Sequence, residues 1–82
     1  MTDLGVVAIT ACATAVGVAD DELTLTSALA EFPSWDSLAV LELLTILEDG
    51  QGVVLEPVEL FECATPGDVA VLLERALRAL PR

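Results

Sequence analysis

The chain has 82 residues, room for a single domain spanning residues 1–82 and no second core, and a domain of this size buries roughly 60% of its unfolded surface. With 55% hydrophobic and 21% charged residues it is far from the profile of an intrinsically disordered chain. Fourteen acidic side chains face only three basic ones, a formal charge of −11, which disfavours nucleic acid and anionic membrane as partners, since phosphate binding needs Lys and Arg, and favours a basic protein surface.

Leu4, Val7, Ala8, Ala11, Cys12 and Ala15 recur at helical spacing, Thr2 or Asp3 can cap the start, and Gly17 is placed as a stop. A first helix is therefore expected from about residue 3 to 16, although its Val, Ile and Thr have poor helix propensity. The uncharged run from Leu4 to Ala19 is short for a membrane span of about 20 apolar residues. The segment before it carries Asp3 and no Lys or Arg, unlike an export signal, so the chain is expected in the cytoplasm. Residues 18 to 35 form a long connection of the kind that is functional or contains a short helical turn. Its run Asp20-Asp21-Glu22 lacks the alternating ligands and turn glycine of a calcium loop and reads as solvated.

The second helix is expected from about Ser37 to Asp49. Spacing side chains by about 100° per residue places Ile46, Ala39, Leu43, Leu47, Val40 and Leu44 on one apolar arc facing the core. The opposite arc holds Glu42, Asp49, Leu38, Thr45, Leu41 and Glu48, an acidic surface with two leucines among the charges. Isolated exposed leucines are common, yet two ringed by carboxylates also resemble the core and rim of a docking surface. Gly50 and Gly52 end this helix, and Val53, Val54 and Leu55 form a short apolar segment.

Pro57 suits a first helical position and opens a brief third helix through about Cys63, with Val58, Phe61 and Leu60 turned inward. Thr65 can cap a last helix from Pro66 to about Leu80, with Asp68 reciprocating three residues later. Its stripe is Val69, Ala70, Leu72, Leu73, Ala76, Leu77 and Leu80, with Glu74 and Arg78 on the far side. Arg75, Arg78 and Arg82 sit near its C-terminal end, where the helix dipole favours positive charge. Three amphipathic helices, a short additional one between the last two, and a long loop between the first two can hide their stripes only against one another. The expected fold is all-α, a small antiparallel four-helix bundle.

Serine-based acyl transfer needs a base within hydrogen-bond reach, and the chain has no His and no Lys. A carboxylate pair would need a dry pocket that so small a bundle does not offer, so no enzymatic activity is expected. Cys12 and Cys63 are not in CxxC or Cys/His spacing, so neither a disulfide framework nor a metal site is expected. Both fall among apolar neighbours and read as buried thiols. Burial over the loop and the second helix is likewise the expectation for Trp35. Asp36 sits where the second helix begins and can cap it, and Ser37 falls in the first turn, beside backbone N–H groups without intrahelical partners. A phosphate on Ser37 would rest on the positive end of the dipole and accept those donors. On spacing alone, the ordinary helix start is the favoured reading of these two residues.

Asp36-Ser37-Leu38 followed by Glu42, Leu43, Leu47, Glu48 and Asp49 resembles the acyl carrier and peptidyl carrier proteins. The similarity runs over nearly the whole chain: Val16-Gly17-Val18 and Asp21-Glu22-Leu23 look like the end of that family's first helix and the loop after it, and Ala64-Thr65-Pro66-Gly67-Asp68-Val69 like the start of its last helix. Motif, spacing, acidity and length agree where three residues alone would say little. The family's usual Leu-Gly pair before the motif is replaced by Pro33 and Ser34, with Trp35 in the variable place. Phe32-Pro33-Ser34-Trp35 looks more like discrete carriers of specialised metabolism. Gln51 stands where the family usually has Phe, so the following loop is expected to pack differently.

The resemblance implies that a phosphopantetheinyl transferase attaches 4′-phosphopantetheine from coenzyme A to Ser37, within the motif begun by Asp36. The arm's thiol would hold acyl or aminoacyl groups as thioesters for partner enzymes of polyketide or nonribosomal peptide type. Leu38, Leu41, Glu42, Thr45, Glu48 and Asp49 would form the partner-binding face, meeting the basic docking surfaces of loading enzymes, acyltransferases or synthases. A domain that must keep one face free is expected to be a monomer. The rival from another class is an acidic interaction module whose Ser37 is never modified, a reading that gives no reason for Asp-Ser-Leu at a helix start.

Overall fold

The computed structural model describes residues 3–80, which form four α-helices: α1 (Leu4–Val16), α2 (Ser37–Gln51), α3 (Pro57–Phe61) and α4 (Pro66–Arg78). Of the residues expected to act at the ends, Thr2 and Arg82 lie outside the described residues. Asp3 caps α1, its Oδ1 accepting from the backbone N–H groups of Gly5 at 2.9 Å and Val6 at 3.3 Å. Gly17 closes α1 in the left-handed region at φ 78°, which a residue without Cβ adopts at no steric cost.

Small side chains make α1 the inner element. Ala8, Ala11, Cys12, Ala13, Ala15 and Val16 are all buried, and α1 packs on both α2 and α4. The end of α1 lies beside the start of α2, where the Ser34 hydroxyl donates to the Val16 carbonyl at 2.7 Å. Val6 and Val7 of α1 share a groove with Gly50 and Gln51 at the other end of α2, so these two helices are antiparallel. The expected inner arc of α2 is found inside: Ala39, Val40, Leu43 and Leu47 are buried, with Ile46 and Leu44 half-buried beside them.

The long connection contains two single 3₁₀ turns, Asp20–Glu22 and Leu29–Glu31. The acidic run is exposed, and its carboxylates stay local: Asp20 accepts from the Thr10 hydroxyl at 3.0 Å and Glu22 from the Ala19 N–H at 2.8 Å. Further on, the connection joins the core through buried Leu23 and Leu29. It is tied to the approach of α4 by two backbone bonds, Leu29 N–H to Ala64 carbonyl and Gly67 N–H to Leu25 carbonyl, both 2.9 Å. A Cβ at position 67 would meet the Leu25 carbonyl oxygen at 2.8 Å, so this contact admits only glycine without a shift.

Several boundaries and orientations differ from the expectations. Gly50 is helical, and α2 runs on to a half-buried Gln51 before Gly52 ends it at φ 67°. The segment after it alternates, Val53 and Leu55 buried and Val54 83% exposed. α3 ends at Phe61, and only Leu60 of its apolar residues points inward; Val58 and Phe61 are turned out. α4 ends at Arg78, leaving Leu80 exposed. Thr65 accepts from the Asp68 N–H at 3.2 Å as expected, but Asp68 returns its bond to the N–H of Ala64, at 3.0 Å, instead of that of Thr65. Glu74 and Arg78 pair at 2.7 Å on the exposed side of α4. No buried side-chain N or O lacks a hydrogen-bond partner among the described residues.

Candidate functional site

The start of α2 is built by residues on both sides of it. Asp36 is extended (φ −140°, ψ −172°), its Oδ1 accepts from the Ala39 N–H at 3.0 Å, and its carbonyl accepts from the Val40 N–H at 3.0 Å. That is an N-cap. Upstream, Ser34 is bonded to the end of α1, the Trp35 N–H donates to the Phe32 carbonyl at 3.0 Å, and Phe32 and Trp35 pack half-buried against the core. Ser34 therefore holds the chain on α1 as it turns into α2, while Pro33 beside it is exposed.

Ser37 is the first helical residue and is exposed. Its own N–H and that of Leu38 lie in the first turn, where no intrahelical acceptor exists. A phosphodiester on the Ser37 hydroxyl would find free donors and the positive end of the helix dipole. The fit is steric and electrostatic: the hydroxyl faces solvent, and the Asp36 carboxylate is engaged with Ala39.

The outer face of α2 carries the expected residues with two adjustments. Leu38 and Leu41 are 74% and 50% exposed, and Glu42 and Asp49 are exposed on the same side. Thr45 is exposed too, but its hydroxyl donates to the Leu41 carbonyl at 3.1 Å. Glu48 is half-buried and turned toward the following loop, where its Oε2 accepts from the Leu55 N–H at 3.4 Å. Five of the six residues thus form an open surface, and Glu48 spans α2 and the segment leading to α3.

A groove that the sequence pattern did not disclose lies at Ser37 itself. Ser37, Val40 and Leu41 on one side and Pro57, Val58 and Phe61 of α3 on the other enclose about 230 Å³. Its lining is almost wholly apolar. The outward turn of Val58 and Phe61, 69% and 58% exposed, creates it. The larger concavity, about 370 Å³ between α3 and α4, is ringed by Glu59, Glu62, Asp68 and Arg75 and does not reach Ser37.

The two thiols are poor nucleophiles. Cys12 is fully buried, and burial, with Cys63 nearby, pushes its pKa up to about 12. Cys63 is half-buried, less than expected, and burial first, then Asp68 and Glu59, raises its pKa to about 11. Among the described residues no group of three or more His, Cys, Asp or Glu is placed to hold a metal ion, and no helix is long and apolar enough to cross a membrane.

Residues 7–73 match the family model described as the phosphopantetheine attachment site. That span includes the capped serine, the outer face of α2 and all of α3. No curated protein matches the chain.

Proposed function

The chain belongs to the phosphopantetheine attachment site family, and from that premise we propose that Ser37 is the residue that carries the 4′-phosphopantetheine arm. Members of the family are non-catalytic thioester carriers that meet phosphopantetheinyl transferases and biosynthetic enzymes. The observation that carries the assignment to Ser37 is an exposed hydroxyl on the first residue of α2, with Asp36 as cap and two N–H groups without helical acceptors beside it. When bound, the arm supplies a terminal thiol that holds the cargo as a thioester.

This chain's own residues would orient the phosphate end and present the tether to partners. Tethering raises the effective concentration of cargo at each enzyme, so selectivity rests on the carrier's surface. Glu42 and Asp49 would steer basic partners, with Leu38 and Leu41 giving short-range contact and Thr45 filling between them. Glu48 would act by holding the loop before α3. The Phe32-Pro33-Ser34-Trp35 segment resembles discrete carriers of specialised metabolism and favours work on acyl or aminoacyl groups for polyketide or nonribosomal peptide type synthesis in the cytoplasm, and the need to keep one face free favours a monomer.

Intact-mass measurement after incubation with coenzyme A and a permissive transferase tests the assignment. One phosphopantetheine mass should be added to the wild-type chain and none to Ser37→Ala. A wild-type chain that stays unmodified would leave the acidic interaction module as the reading, and modified Ser37→Ala would move the attachment elsewhere.

A further inference from the structure

We propose that the trough between α3 and α4 is a second docking surface, which takes a short extended segment of a partner protein in which basic and apolar residues alternate. The proposal goes beyond the reading of Ser37 and does not depend on it. The trough does not reach that serine, and none of its residues belongs to the outer face of α2.

Two concavities make the trough. One, of about 370 Å³, lies beside Glu62 and Asp68, and the other, of about 210 Å³, beside Val54 and Glu56. They share Glu59, Leu72 and Arg75, so they are continuous. From Asp68 to Ala76 the α4 wall advances eight residues, about 12 Å at the helical rise. Four residues of extended chain cover about 13 Å, so the trough has the length of a short peptide.

Charge decides what that peptide carries on one side. Glu56, Glu59 and Glu62 recur at every third position along α3 and its two caps, about 4.5 Å apart along the axis, and all three are exposed. The ion pair found among the described residues is that of Glu74 with Arg78. The three carboxylates therefore have no cation of their own, and guanidinium or ammonium groups from a partner complement them. The same carboxylates repel nucleic acid and anionic lipid.

The other side of the trough is apolar. Leu72 and Leu55 are buried beneath it, while Val71 at one end and Val54 at the other are 56% and 83% exposed. An extended segment points alternate side chains in opposite directions, one set toward the glutamate row and the other onto Leu72 and Val71. Arg75 lines both concavities and sets the orientation, because it repels a basic residue turned toward α4. A partner seated here would leave Ser37 and the outer face of α2 open to an enzyme at the same time.

The test is a nuclear magnetic resonance titration of the nitrogen-labelled chain at low salt with two end-capped octapeptides, one alternating arginine and leucine, the other arginine and serine. Expected are amide shifts centred on Glu59, Val71, Leu72 and Arg75 with the leucine peptide, and binding about fivefold weaker or more with the serine peptide. Glu59→Gln with Glu62→Gln should weaken the leucine peptide about tenfold. Glu42→Gln with Asp49→Gln removes the same charge from α2 and should weaken it by no more than about twofold. Arg75→Gln should tighten it. All five substituted sites are exposed, and the dispersion of the same spectra shows that each variant is folded. Shifts centred on the outer face of α2 would overturn the proposal, as would equal weakening by the two pairs of substitutions, equal binding of the two peptides, or weaker binding to Arg75→Gln. Ser37→Ala should bind the leucine peptide as the wild-type chain does, so failure of attachment at Ser37, seen by intact mass, is separate from failure of docking.

Discussion

Two helices of similar length divide their surfaces differently. α1 is the more enclosed, with Ala8, Ala11, Cys12 and Ala13 at 2% exposure or less and packing on two neighbouring helices, and leaves only Val6, Thr10 and Thr14 exposed. α2 buries one arc and leaves Leu38, Leu41, Glu42 and Asp49 in solvent. The difference is one of side-chain size and charge placement. Alanines let neighbouring backbones approach α1, whereas α2 brings its bulk, Leu43 and Leu47, to one side and its carboxylates to the other. The frame is thus α1 with the long connection and α4, and the display surface is the outer face of α2 with α3.

The contrast is tested first by two leucines on α2. Leu43→Ala should cost about 2–5 kcal/mol, because the site is fully enclosed and a cavity would remain. Leu38→Ala should change stability by no more than about 0.5 kcal/mol. Urea denaturation of both measures the division of labour, and equal losses would break it. On the frame, Gly67→Ala should cost about 1–3 kcal/mol, since its new methyl would meet the Leu25 carbonyl; a melting temperature identical to wild type would show that the connection is free to move off α4.

Display should respond where the frame does not. Glu42→Lys combined with Asp49→Lys should slow turnover by a basic partner enzyme by about tenfold or more at low salt, with the gap narrowing as salt screens the encounter. Unfolding of that variant should remain near wild type.

The smallest effect concerns the thiols. Both have folded pKa values raised above the ordinary 9.0, Cys12 to about 12 and Cys63 to about 11. Burying them neutral therefore adds stability that is complete below about pH 9 and lost as pH rises through these values, because the unfolded chain ionises first. Alkylation at neutral pH should be slow for both, with Cys63 reacting before Cys12 as pH increases. Prompt labelling of Cys12 at pH 7 would contradict an enclosed α1.

The sequence was most informative where an element is long. Fifteen residues of α2 average out the error in any one position, and the arcs read at helical spacing were those found, apart from Glu48, which is half-buried against the following loop. Five residues of α3 do not define an arc, so Val58 and Phe61 were expected inside and stand outside. Gly50 looked like a stop because glycine favours helix ends, yet its backbone is helical and the left-handed position falls on Gly52. The Ser34 bond to Val16 joins residues eighteen apart, a separation that local pattern does not encode.

Composition, periodicity and capping residues by themselves determined an acidic all-α domain, the start of α2 at Asp36-Ser37, and the face of that helix left to solvent. These depend on interactions between residues one to four places apart, which the order of the chain specifies directly. Tertiary packing alone decided which way α3 turns, that Glu48 bonds to the loop, and that an apolar groove opens beside Ser37. Those features arise where α2, α3 and the segment between them compete for one core, and Leu60 takes the inside place that leaves Val58 and Phe61 facing the serine.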